Sequence, residues 1–285
     1  MAAILILLAG CTGLVEGVLI KKYNAKHKKG GFIFTGLVSL FSMLFFAVTD
    51  RGGFYFPSGI FPYALTSGAL FCMASFLTYV ALGCGPFAVS MLILSYSGVF
   101  SVVYGLVFLH EQASAFTYIG FALIMISLFL TRGDSRADAD KKASFKWLIC
   151  MILSVIGSGM FGVLLRIQQI KFDNACTNEF MIITLGFSAL VLLTVGIVRD
   201  GRNLPYILRY GGVYAAVSGL ANGATNMMGL AINLLMPISL SSPIRVGVKI
   251  ILSFILSKLI FKEKILLRQA IGVAVGGVAL VFLNL

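Results

Sequence analysis

The sequence predicts an all-α integral membrane protein, with ten transmembrane helices arranged as two inverted five-helix repeats. Three observations predict it. The 285 residues are 59% hydrophobic and 11% charged, against about 45–50% and about 25% in ordinary soluble domains. The apolar residues gather into runs of bilayer-spanning length. Matched features then recur in the two halves of the chain.

A span needs about 20 mostly apolar residues. Runs of this kind occupy 2–20, 32–49, 60–82, 87–109 and 115–131, then 147–170, 179–198, 211–235, 239–261 and 265–285. Short polar or Gly/Pro-bearing breaks separate them, such as Gly83-Cys84-Gly85-Pro86 and Met236-Pro237. Barrel strands would alternate apolar and polar residues, and these runs are apolar all round. Leu8-Ala9-Gly10-Cys11 spells a lipoprotein cleavage box, but no Lys or Arg precedes Lys21. A signal peptide needs a basic start, so 2–20 is expected to be a retained transmembrane helix. The five cysteines form no CxxC pair and are expected to be buried free thiols.

The hydrophilic stretch 132–146 is expected to be a cytoplasmic linker between a first repeat, 1–131, and a second, 147–285. Shifting the numbering by 152 places Glu111 on Glu263 and Ile119-Gly120 on Ile271-Gly272. Each half therefore ends in a tight turn bearing Glu, then a last helix with Gly nine residues on. Five spans per repeat is an odd number, so the second copy enters the bilayer from the opposite side. That is the inverted-repeat plan of many secondary transporters, with solute held near the midplane.

Leu109-His110-Glu111 through Ile119-Gly120 to Leu130 resembles the end of an EamA repeat of the drug/metabolite transporter superfamily. Lys262-Glu263-Lys264 through Ile271-Gly272 resembles the second copy. The resemblance covers essentially the whole chain. It implies a ten-helix secondary transporter working by alternating access, and it leaves the solute open, because the superfamily carries many.

Cytoplasmic loops are enriched in Lys and Arg. Of 22 such residues, 17 fall in 21–29, 132–146, 199–209 and 258–268, all on one side of a ten-span chain. Arg51, Arg166 and Lys171 count to the other side, while Arg245 and Lys249 lie inside a span. The net charge of +12 is thus an orientation signal that also favours anionic lipid headgroups, with no nucleic-acid partner expected. Both termini are expected outside the cytoplasm of a multi-pass plasma-membrane protein. The resemblance implies the reverse, since the family places both termini in the cytoplasm.

Charges inside a bilayer are costly, so they are functional candidates. Glu16 lies in Gly13-Leu14-Val15-Glu16-Gly17, five residues before Lys21, or about 7.5 Å along a helix. It is either an edge carboxylate paired with a cation or a proton-coupling site. A first-helix Glu is similar to the proton site of the small multidrug resistance proteins, relatives in which it sits deeper. Gly13 and Gly17 form a GxxxG that lets a neighbouring helix approach. Arg245 and Lys249, four apart, share a helix face. Either a carboxylate such as Glu16 or Glu179 balances them, or an anionic substrate does, with Arg matching a carboxylate or phosphate bidentately. Gly247-Val248-Lys249 resembles the Gly-Asn-x-Lys motif of sugar-phosphate and nucleotide-sugar carriers, one residue short and without the Asn. Pro243 either starts its helix or breaks it to open backbone onto a cavity.

Asn222 and Asn226 share a face of the eighth span and either glue helices or line the site. Tyr96, Ser97, Thr78 and Tyr79 are similar candidates. His110 is expected to be a boundary residue. No HExxH, GxxxxGK[ST] or GxSxG pattern occurs, so no enzyme, metal site or cofactor is expected. The expected function is secondary transport of a small anionic metabolite, proton-coupled through Glu16, by a monomer or homodimer. The rival is proton-coupled export of cationic or drug-like amphipathic compounds. The charge bias makes a test: a C-terminal tag should be labelled by antibody on intact cells, and labelling only after permeabilisation would contradict the orientation.

Overall fold

The computed structural model describes residues 2–27, 30–49, 55–57, 59–85, 87–111, 114–131, 145–256, 259–260 and 267–282. The expected linker 132–146 and Glu263 fall largely or wholly outside them. Among the described residues the chain is 92% helix, with no strand. The helices are α1 (Ala2–His27), α2 (Gly31–Thr49), α3 (Ile60–Cys84), α4 (Phe87–Ser95), α5 (Ser97–Val107), α6 (Ala115–Thr131), α7 (Phe145–Lys171), α8 (Thr177–Asp200), α9 (Leu204–Leu235), α10 (Ile238–Leu256) and α11 (Leu267–Phe282). Six helical stretches are long and apolar enough to cross a membrane: α1, α2, α3, α7, the stretch Thr177–Leu235 and α10. That stretch joins α8 to α9 through the 3-10 turn Gly201–Asn203. The helices α6 and α11 are shorter.

The turns follow from sequence. Gly59 and Gly30 take left-handed φ values of 97° and 66°, which glycine adopts without steric cost. Asp173 and Asn174 do the same between α7 and α8, as their short polar side chains permit. Met236 turns extended before Pro237, which ends α9 and lets α10 begin.

One long apolar run is interrupted, and another carries a proline inside its helix. The expected span 87–109 is two helices with Tyr96 between them, where Tyr96 donates to the Ile93 carbonyl and Val99 to that of Tyr96. These three-residue bonds tighten the turn and redirect the chain. Its neighbour α10 holds Pro243 inside the helix, five residues after the start. The helix therefore continues through the proline rather than starting there. The two elements touch: the Ser242 hydroxyl donates to the Gly98 carbonyl at 3.0 Å.

The surface is apolar and the interior carries hydroxyls. Val48, Leu190, Val198 and Val213 are exposed, while Ser39, Ser42, Ser67, Ser188 and Ser218 are buried. Water would oppose that distribution, and a lipid surround favours it, since polar residues glue membrane helices from within. The Ser39 and Ser188 hydroxyls meet at 3.2 Å between α2 and α8. Ser42 donates to the Gly219 carbonyl at 2.8 Å between α2 and α9.

The principal packing pairs are α1 with α9, α3 with α7, α2 with α8 and α9, α3 with α8, α6 with α11, and α10 with α5. Exchange the halves, so that α1, α2, α3, α4–α5 and α6 trade places with α7, α8, α9, α10 and α11. Each principal pair then falls on itself or on another. Close approach depends on small residues. A Cβ on Gly219 would lie 2.6 Å from the Val38 carbonyl and 2.5 Å from the Phe41 Cβ. Gly219→Ala should therefore force α2 and α9 apart and cost about 1–3 kcal/mol, read as a lower melting temperature in detergent. An unchanged melting temperature would mean that this contact is loose.

Candidate functional site

A cavity of about 250 Å³ lies among α1, α2, α3, α4–α5, α7, α9 and α10. Glu16 enters it from α1, Asn222, Thr225 and Asn226 from α9, and Lys249 from α10. Glu16 is 14 residues from the start of α1 and 11 from its end, about 21 and 16 Å at 1.5 Å per residue. It is therefore central on its helix rather than at an edge.

Asn222 organises the polar side. Its amide nitrogen donates to both Glu16 carboxylate oxygens, at 3.1 Å each. Its own amide oxygen accepts from Asn226 at 3.0 Å and lies 3.2 Å from the Ser42 hydroxyl. One turn earlier on α1, Thr12 and Thr225 share a 2.7 Å hydrogen bond. Gly13 and Gly17 flank Glu16, and a Cβ on Gly13 would meet Thr225 at 3.6 Å. That is ordinary contact, so the expected GxxxG is not what lets α9 lie against the carboxylate. On Gly17 a Cβ would meet Met91 of α4 instead.

Lys249 interacts electrostatically with Glu16. Among the described residues its ammonium has no hydrogen bond and no ion pair within 4 Å. An ammonium carries three donors, and here they face the cavity. The rest of the lining is apolar or hydroxylic: Phe71 and Phe161 sit with Ser75, Thr78, Ser97 and Ser158. The two rings pack at 5.2 Å between centroids.

Of the expected site residues, the structure brings together Glu16, Lys249, Asn222 and Asn226, with Thr78 and Ser97. It places three elsewhere. Arg245 reaches the far end of α9, where its guanidinium donates to the Asn233 side chain at 3.5 Å. Tyr96 packs at the α4–α5 turn against the cluster containing Ile124, Ile244 and Ile250. Tyr79 is buried against Tyr23 and Phe34. Glu179 is also buried, accepting the Tyr55 backbone N–H at 3.0 Å. It is therefore not the partner of Arg245.

No family profile matches the sequence, and no curated protein does. Solved structures do match. One, described only as the crystal structure of a protein, aligns at 14% identity and a TM-score of 0.66. The alignment covers 100% of this chain and 98% of that one. A likeness at that identity carries the fold alone. The whole arrangement of helices is therefore one that a solved protein also adopts.

Sequence reasoning missed two groups. Phe71, Phe161, Ser75 and Ser158 look like any other residues of an apolar helix, and no pattern separates them. Glu111 and Arg166 did carry a signal. Glu111, in the turn after α5, accepts the backbone N–H groups of Ile238 and Ser239 at 3.1 and 2.9 Å. It so caps the start of α10 from the other half of the chain. Arg166 lies inside the expected span 147–170, where a charge calls for a partner. It pairs with Glu111 at 3.9 Å and donates to the Asn233 carbonyl at 2.9 Å.

The Asn222–Glu16 clamp is testable by a double-mutant cycle. Asn222→Leu should cost about 1.5–3 kcal/mol, the range for hydrogen bonds to a charged group. In a Glu16→Gln background the cost should shrink. Equal costs in both backgrounds, measured by thermal unfolding, would show that the two side chains do not depend on each other.

Proposed function

We propose that the protein is a secondary transporter of a small anionic metabolite. It would work by alternating access between two inverted five-helix repeats, spanning the plasma membrane ten times. The observation that carries the reading is Lys249, an ammonium in the middle of the bundle that faces a cavity with its donors unfilled. A charge in that position is costly, and a carboxylate or phosphate of the solute would offset the cost. Asn226 and the hydroxyls of Ser75, Thr78 and Ser158 would hold its polar atoms, and the Phe71–Phe161 pair its carbon skeleton. In this reading Arg245 and Tyr96 lie outside the central cavity.

Glu16 gives the coupling. With the site empty, Glu16 balances Lys249 across the cavity. An anion that takes Lys249 leaves the carboxylate uncompensated, and a proton on Glu16 then restores neutrality. Solute and proton would so travel together, one for one.

Several observations support the two-repeat plan. Packing partners map onto one another when the halves are exchanged. The α2–α8 pair, which maps onto itself, meets at two like residues, Ser39 and Ser188. Tyr96, which splits its run into two helices, and Pro243, inside α10, fall in corresponding elements, and broken helices like α4–α5 build transporter sites. The drug/metabolite transporter superfamily remains the family that the Glu111 and Glu263 turns resemble. The same Glu16 and paired rings would also suit a cationic amphipathic solute, the second reading.

Lys249→Ala should abolish uptake by proteoliposomes while the protein still purifies as a folded species. Glu16→Gln should leave downhill uptake but remove its response to a pH gradient. Normal transport by Lys249→Ala would remove Lys249 from the site and favour the cationic reading.

A further inference from the structure

Outside the cavity, two guanidiniums converge where the ends of α7, α9 and α10 meet. We propose that Arg166 and Arg245 form a second anion site there, separate from the Glu16–Lys249 cavity, for the carboxylate or phosphate group of a solute. The binding claim stands on the geometry below. The passage of solute between the two sites rests on the transport reading above.

Both guanidiniums converge on one residue. Arg166 donates to the Asn233 backbone carbonyl at 2.9 Å, and Arg245 to the Asn233 side-chain oxygen at 3.5 Å. Asn233 is held in turn, donating to Gln169 at 3.3 Å. Two cations on one asparagine repel each other, and their compensation is thin. Glu111, 3.9 Å from Arg166, is the one carboxylate within 4 Å among the described residues. Both of its oxygens already accept backbone N–H groups of α10. Among the described residues Arg245 has no carboxylate in that range.

Donors are also in surplus. A guanidinium offers five N–H groups, so the pair offers ten and uses two in hydrogen bonds among the described residues. The Arg166 Nε is buried without a partner, as is the hydroxyl of Ser241. Ser241 lies one turn before Arg245 on the same face of α10. The first turn of α10 adds the positive end of its dipole. An oxyanion set between the two forks would take bidentate bonds from either, relieve their repulsion and reach the Ser241 hydroxyl. Lys249 is four residues beyond Arg245, about 6 Å along the axis. The two stations thus stand one helical turn apart, and a solute released by the guanidiniums enters the reach of the ammonium.

Equilibrium binding to the purified full-length chain in detergent at low salt tests this, with radiolabelled inorganic phosphate and radiolabelled benzoate as probes. The wild type should bind two ions of one probe per chain, and the probe that binds tells phosphate from carboxylate. Lys249→Gln should bind one. Adding Arg245→Gln to it should abolish binding, and adding Arg166→Gln should weaken binding about tenfold, the worth of one charge-assisted bond. Arg245→Lys keeps the charge and should retain weakened binding, so loss of fold is separable from loss of the site. Binding to Lys249→Gln that neither arginine substitution changes would overturn the second site. So would no binding to Lys249→Gln at all, and that result would leave the central cavity standing. Arginine-dependent binding of a single ion that Lys249→Gln does not alter would support this site and overturn the central one. No binding of either probe to the wild type would overturn both.

Discussion

A charge inside an apolar bundle must be surrounded by groups that stabilise it, and those groups must come from several helices at once. Glu16 sets that requirement here. Its two oxygens are held by Asn222, which is held in turn by Asn226 and by Ser42 of α2. The tight contacts of α1 with α9 and of α2 with α9 follow from the same need, and Gly219 makes the second of them possible. The cavity is what remains on the open side of that clamp.

The charges at the other end obey the same rule by a different route. Glu111 belongs to the first half of the chain and caps a helix of the second. It takes the place of the side-chain cap that the Met236-Pro237 turn cannot supply. Two backbone donors that a helix start leaves unsatisfied are thus answered by the opposite half. This ties the α5–α6 turn to α10, and Arg166 joins the same node from α7. A Glu at this turn is therefore readable as a structural joint between halves.

Much of the fold was legible because bilayer-spanning helices are long apolar runs between short breaks. Among the described residues, nine of the ten expected runs hold one α-helix each. The run 87–109 became two because Tyr96 tightens into a three-residue turn, which Gly98 alone did not signal. Glu16, Lys249, Asn222 and Asn226 were legible because polar side chains stand out in apolar sequence. The separation of Arg245 from Lys249 was not. Shared spacing puts both on one stripe of α10, but four residues advance a helix by slightly more than a turn. Arg245 is also long enough to reach Asn233 at the end of α9. Tyr96 was misplaced for the related reason that a helix face means little at a turn. The apolar lining, Phe71 and Phe161, is chemically the same as the core and becomes visible only in three dimensions.

The central claim is that the Glu16–Lys249 cavity carries an anion with a proton. Flux into proteoliposomes of labelled anionic and cationic metabolites, with and without an imposed pH gradient, tests it most directly. The account predicts uptake of an anionic metabolite that accelerates when the outside is made more acidic than the inside. Uptake confined to cationic compounds, driven by the opposite gradient, would contradict it.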